Sequence, residues 1–269
     1  MSTCSENAVA LPAENDTPAV SAAAALEAKT ELVTPVKATN MSLQYTIDFR
    51  NNHGGAANYI LFYGPPTNDD PADPQVLTYV WISEFIPNQG NLRVIFTTDE
   101  YGWCGEVNTT VSNGTVIRAI VSNSKEVTLG TASEPGSTLN MVIQDSVPLL
   151  EDGNKPLGQN GSFAVETGTD FTLPNETYMI GTGYRNIDQD QVIPTAAWFA
   201  NNNITTQITP SQKIYLASSK LPVGAQVNVD TIAQHAAVID YSVWPSQGYK
   251  TAVIEQESNG AYNITYRST

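Results

Sequence analysis

From Leu43 to Arg50 the apolar residues Leu43, Tyr45, Ile47 and Phe49 alternate with Gln44, Thr46, Asp48 and Arg50. Successive side chains of an extended chain point to opposite sides, so a period of two predicts a strand with one core face and one wet face. The turn Asn51-Asn52-His53-Gly54-Gly55 and the run Tyr59 to Tyr63 read as a returning strand, stopped by Gly64-Pro65-Pro66. Further strands are predicted at Leu77 to Ile82, Leu92 to Phe96, Ile117 to Val121, Leu139 to Ile143, Phe163 to Glu166, Tyr178 to Tyr184, Ala196 to Ala200 and Gln212 to Ala217. The glycines within Tyr101 to Glu106 predict a bulge or a close backbone approach. Thr251 to Glu257 and Tyr262 to Arg267 form a hairpin pattern around Asn259-Gly260, a dipeptide suited to a type I′ turn. Helical signals are confined to Thr231 to Val238 and Pro194 to Asn201.

Roughly fourteen short strands with turns between them predict an all-β fold. The expected architecture is a two-sheet antiparallel sandwich, with a closed β-barrel as the alternative. Residues 1–40 break the pattern: they are rich in alanine, contain Pro12, Pro18 and Pro35 and have no aromatic residue, so they bury too little apolar surface to offset the entropy of ordering. They are expected to be a disordered tail. Residues 41–269 are expected to form a single domain, a size that suits one large β-sandwich.

Two stretches, Met41-Ser42-Leu43-Gln44-Tyr45-Thr46-Ile47-Asp48-Phe49-Arg50-Asn51-Asn52 and Val80-Trp81-Ile82-Ser83-Glu84-Phe85, resemble the opening and the tryptophan strand of the bacterial rhizosphere-expressed protein family. The resemblance implies a cytoplasmic all-β protein without a settled activity. It carries over no catalytic residue, and the segment before Met41 departs from the family pattern.

Charge narrows the partners. Twelve Lys and Arg stand against 27 Asp and Glu, a formal net charge of −15, and a nucleic-acid binder must neutralise phosphates with cations. Nucleic acid and anionic membranes are therefore excluded as expected partners. Met1 to Val20 lacks the basic start and continuous apolar segment of a signal peptide, and no apolar run reaches the length of a membrane span. The expected compartment is the cytoplasm, with non-classical export left open.

Candidate chemistry is sparse. His53 sits in a glycine turn, and His235 stands five residues before Asp240, which would orient it as a base if the two met in space. Cys104, between Trp103 and Gly105, reads as a packed strand thiol, and with Cys4 in the tail no disulfide framework is expected. The acid runs Asp69, Asp70 and Asp73, and Asp188 and Asp190, place hard oxygen donors in loops as a calcium site requires, without EF-hand spacing. Asp99-Glu100 is a further acid pair. Trp81, among apolar neighbours, reads as core; Trp198, Trp244 and Tyr249 adjoin polar loops, where an exposed ring stacks on a sugar or an apolar ligand.

The expectation is a non-catalytic β-sandwich binding or interaction protein for a carbohydrate or small molecule, with ligand contacts among Trp198, Trp244, Tyr249, His235 and Asp240. No cofactor is called for beyond a candidate calcium ion. The alternative is an enzyme, either a carboxylate-based hydrolase or a shape-driven isomerase or cyclase, with a pocket around His235, Asp240 or Glu106.

Overall fold

A computed structural model describes residues 43–72, 74–107, 114–116, 122–186 and 191–268. These belong to the unit Met41–Thr269; the predicted tail and the predicted strand at Ile117 to Val121 lie outside the described residues. The fold is all-β. In chain order the strands are β1 (Gln44–Asn51), β2 (Ala57–Tyr63), β3 (Thr67–Asn68), β4 (Leu77–Ile86), β5 (Asn91–Thr97), β6 (Glu100–Glu106), β7 (Ser122–Val127), β8 (Thr138–Gln144) and β9 (Val147–Asp152). They continue with β10 (Phe163–Thr167), β11 (Tyr178–Asn186), β12 (Gln191–Phe199), β13 (Thr205–Thr209), β14 (Lys213–Ser218), β15 (Gln226–Val227), β16 (Ala237–Asp240), β17 (Thr251–Gln256) and β18 (Tyr262–Arg267). Two single-turn helices, α1 (Val229–Ile232) and α2 (Trp244–Gln247), interrupt them, and none of the described helices is long and apolar enough to cross a membrane.

The strands form three sheets. A long one runs β16-β14-β2-β4-β12-β11-β6-β7, with β15 beside β4, and two smaller ones run β18-β17-β1-β5 and β3-β13-β10-β8-β9. The layered packing expected of a sandwich occurs twice. Ile47, Phe49, Phe96 and Ile254 of the four-stranded sheet pack against Leu61, Tyr63, Trp81 and Leu216 of the long sheet in a first core. Leu139, Phe163, Val165 and Ile208 of the five-stranded sheet pack against Cys104, Ile180 and Trp198 in a second. On β11, Ile180 serves the second core and Tyr184 the first, and the pairing register of β11 with β12 slips between Thr182 and Gly183.

Pairing is antiparallel except between β1 and β17 and between β8 and β10. That arrangement corrects the first hairpin. β1 pairs with β17 and β5, whereas β2 pairs with β14 and β4, so the glycine turn carries the chain from one layer to the other. The crossing is fixed by Asn51, which is fully buried: its Nδ2 donates to Gly55 O (2.8 Å), Ile86 O (3.1 Å) and Pro87 O (3.2 Å), and its Oδ1 accepts from His53 N. Phe49 and Tyr59 then meet across the layers with ring centroids 4.7 Å apart.

Three local expectations also change. Pro194 to Phe199 is strand, because β12 is paired on both sides by β11 and β4, and those long-range contacts outweigh a short stretch of helix-forming alanines. The Thr231 region gives only α1, whose N-terminus is capped by Asn228 Oδ1 on Thr231 N, and a 3-10 turn at Ala233–His235. The β17–β18 hairpin forms in the expected register, but only Gly260 of its turn has a positive φ (86°). With Gly260 N bonded to Glu257 O and Glu257 N to Ala261 O, it is a type I turn followed by a left-handed residue rather than type I′.

Gly102 of β6 serves close approach rather than a bulge, since β6 holds an unbroken register with both neighbours and a Cβ on Gly102 would strike Leu139 Cδ1. Gly181 is tighter still. A Cβ there would run into the backbone at Ala196 O and Ala197 Cα, which cannot yield as a flexible side-chain tip does. Gly181→Ala is expected to cost about 3 kcal/mol of unfolding free energy in urea.

Candidate functional site

Tyrosines gather where β2 ends and β1 begins. Tyr63 closes β2, Tyr45 is the second residue of β1, Tyr184 lies near the end of β11 and Tyr241 follows β16, and all four are buried in the first core. Tyr63 and Tyr184 stack with centroids 3.7 Å apart and planes 6° apart. Tyr45 meets Phe96 at 5.7 Å and the edge of Trp244 at 5.0 Å.

Glu100, the first residue of β6, is sealed under these rings at 6% exposure. Tyr184 OH donates to Glu100 Oε1 (2.6 Å), so the Tyr184 oxygen can only accept from Tyr241 OH at 3.2 Å; Tyr241 OH also lies within donating distance of Ser211 O (3.3 Å). Glu100 Oε2 and Tyr63 OH are buried with no hydrogen-bond partner. Burial pushes the Glu100 carboxyl up to about 8; the Tyr184 bond opposes this and the nearby Asp99 charge adds to it. Burial also holds the Tyr63, Tyr184 and Tyr241 hydroxyls well above their usual value. At neutral pH the cluster is thus a neutral acid among neutral phenols.

Above this layer the chain places a second one at the surface. Asp240 Oδ1 accepts from Ser242 N, Trp244 N donates to Tyr241 O, and α2 starts with Trp244 inside and Pro245 at its first turn. Gly248 ends α2 in the left-handed region (φ 70°), a conformation that glycine adopts freely, and this directs Tyr249 onto Tyr266 of β18. The two rings stack at 5.4 Å and 28°; Tyr249 is half-buried and Tyr266 is 36% exposed. Tyr266 also meets Trp244 at 5.6 Å. The Tyr266 hydroxyl is raised by burial, then by the Asp240 charge and Tyr249, which puts Asp240 in electrostatic reach of the pair. Lys250 sets its Nζ 5.4 Å from the centroid of the Tyr45 ring.

Of the residues singled out by sequence, Trp244, Tyr249 and Asp240 therefore share one end of the first core. The indole of Trp244 is fully buried and supports the surface pair from below instead of being exposed. Trp198 is likewise fully buried, in the second core, and offers no ring to a ligand. His235 is exposed at the end of the 3-10 turn, separated from Asp240 by the length of β16, roughly 13 Å at strand rise, so the two do not form a base and its orienter. Glu106 lies at the opposite end of β6 from Glu100. Cys104 is a free thiol in the second core, pushed up to about 12 by burial, and His53 is exposed in its turn.

The acidic loops are used locally. Asp69 Oδ1 accepts from Gln207 N (2.6 Å), and Asp70 Oδ1 accepts from Ala72 N (2.9 Å). Asp73, Asp188 and Asp190 lie outside the described residues, and among the described residues no three His, Cys, Asp or Glu side chains converge as a metal site.

Sequence reasoning did not assemble Glu100, Tyr63, Tyr184 and Tyr266, whose meeting depends on strands far apart in the chain. One signal was present. Glu100 is in phase with Gly102 and Cys104 along β6, and Gly102 and Cys104 face the second core, so an acid stood at an inward position of a strand. No family model, curated protein or solved structure matches the chain.

Proposed function

We propose that this chain is a non-catalytic binding protein that offers the Tyr249–Tyr266 pair to a carbohydrate or another small molecule with an apolar face. The carrying observation is the stacked, partly exposed pair set on a rigid base of Trp244 and Tyr45, with the Asp240 carboxylate in electrostatic reach of Tyr266 and the Lys250 ammonium over the Tyr45 ring. Rings held this way give a flat apolar surface at little entropic cost, and the flanking charged groups are suited to hydroxyls. The enzyme alternative would rest on Glu100, the acid whose environment is most altered. Its carboxyl is closed under Tyr184 and bound to it, which favours a structural role over proton transfer to a substrate.

Affinity electrophoresis through gels containing neutral polysaccharides (starch, xylan, mixed-linkage glucan, soluble chitin) tests the proposal. Retardation by at least one is expected, with Tyr266→Ala weakening it about tenfold, the scale of a lost aromatic contact. Unretarded migration in every gel, or retardation of Tyr266→Ala and Tyr249→Ala equal to that of the unaltered chain, overturns it.

A further inference from the structure

β18 ends its sheet. It pairs with β17 on one side, and among the described residues nothing pairs with it on the other. Glu257 N donates to Ala261 O and Lys250 N to Arg267 O, so the odd-numbered residues of β18 turn their main-chain groups toward β17. Antiparallel ladders alternate, which leaves the N–H and C=O of Tyr262, Ile264 and Tyr266 facing outward along the open edge. The usual protections of such an edge are missing: the strand runs without a bulge or a proline, and its one charge, Arg267, stands at its end. Cover is missing as well. Tyr262 and Ile264 are only half-buried and Tyr266 is exposed, whereas Ala252 and Ile254, opposite Tyr266 and Ile264 on β17, are fully buried.

We propose that β18 pairs antiparallel with β18 of a second copy of this chain, about a two-fold axis at Ile264. That register sets Ile264 opposite the partner's Ile264 and Tyr262 opposite the partner's Tyr266, so every outward N–H of the edge meets an outward C=O. Each copy uses up its open edge, and the assembly closes at two. Charge fits the same register. The exposed Arg267 falls opposite the partner's Ala261, a small residue, beyond which stands the exposed Glu257 of the partner subunit. The two main chains are then two strand spacings apart, about 10 Å, a gap the two side chains span together. Within one chain neither charge has an ionic partner among the described residues. The strand contributes no carboxylate, so a chain of net charge −15 meets its copy where repulsion is weak. The pairing uses the main chain of Tyr266 rather than its ring and does not rest on the ligand reading.

Sedimentation equilibrium of the full chain tests this, and the mass is expected to double as concentration rises. Ile264→Pro removes an edge-facing N–H and keeps the bonds to β17, so it should weaken association about tenfold through the two main-chain bonds lost per dimer. Arg267→Glu should weaken it too, and Glu257→Arg added to Arg267→Glu should restore it; both positions are exposed, so neither change disturbs the core. With Asn263→Cys and Thr265→Cys in one chain, on a Cys4→Ser background, mild oxidation should link two copies, because Asn263 stands opposite the partner's Thr265 at about 4.5 Å between Cα atoms, within disulfide reach. The proposal is overturned by monomer mass at every concentration, by association unchanged in Ile264→Pro or in Arg267→Glu, by open-ended polymers, or by absence of a linked dimer from the cysteine variant.

Discussion

Glu100→Gln is expected to stabilise the protein above pH 8 and to change it little below pH 4.5, the two values that bracket the carboxyl's titration in the folded and unfolded chain. The folded state holds the Glu100 proton up to about pH 8, whereas the unfolded chain releases it from about 4.5. Between those values the folded state binds more protons, so stability is full below 4.5, falls as pH rises and levels off above 8. The full span corresponds to on the order of 5 kcal/mol, a large share of a typical domain's total. Glutamine reproduces the protonated acid: its oxygen accepts from Tyr184 OH and it has no charge to desolvate. Urea unfolding of both proteins across this range should give curves that agree at acid pH and separate steadily toward pH 8. Parallel pH profiles would place the Glu100 carboxyl in contact with water rather than sealed beneath the tyrosines.

Asn51→Ala is expected to cost about 3 kcal/mol in the same assay, because the buried amide that ties Gly55, Ile86 and Pro87 together is lost and the Ile86 carbonyl, buried with it, loses that donor. Asn51→Asp should be worse than alanine at neutral pH. It keeps the size of the side chain but brings a charge with no proton to donate against the oxygens of Gly55, Ile86 and Pro87. The order asparagine, alanine, aspartate in decreasing stability distinguishes hydrogen bonding from cavity formation, which would rank aspartate above alanine.

The strands were legible because their signal is local. Tyr45, Ile47 and Phe49 alternate with polar neighbours and all three lie buried in β1, and Leu139 and Met141 do the same in β8. Partners were not legible in the same way. Nothing in residues 43–51 says that β1 will lie parallel to β17, and a glycine-rich turn of five residues serves a layer crossing as well as a hairpin; the deciding feature is the amide of Asn51, whose acceptors include Ile86 and Pro87. The tyrosine end was half legible for a related reason. Trp244, Tyr249 and Asp240 lie within ten residues of one another, so one local turn unites them, whereas Glu100, Tyr184 and Tyr266 arrive on three strands from two different sheets. Trp198 misled because its polar neighbours Asn201 to Asn203 belong to the next turn, while the indole itself points into the second core.

The parallel pairing of β1 with β17 bears on how the chain is made. On a ribosome β1 and β5 emerge early and can join at once into a two-stranded ribbon, with Ile47, Phe49, Val94 and Phe96 along one side. Their third and fourth neighbours, β17 and β18, are translated after every other described strand. At cellular elongation rates that interval is on the order of ten seconds. Throughout it the ribbon has a sticky side and an open backbone edge, so slow codons between Thr97 and Thr251 would prolong the exposure of this segment and fast ones would shorten it.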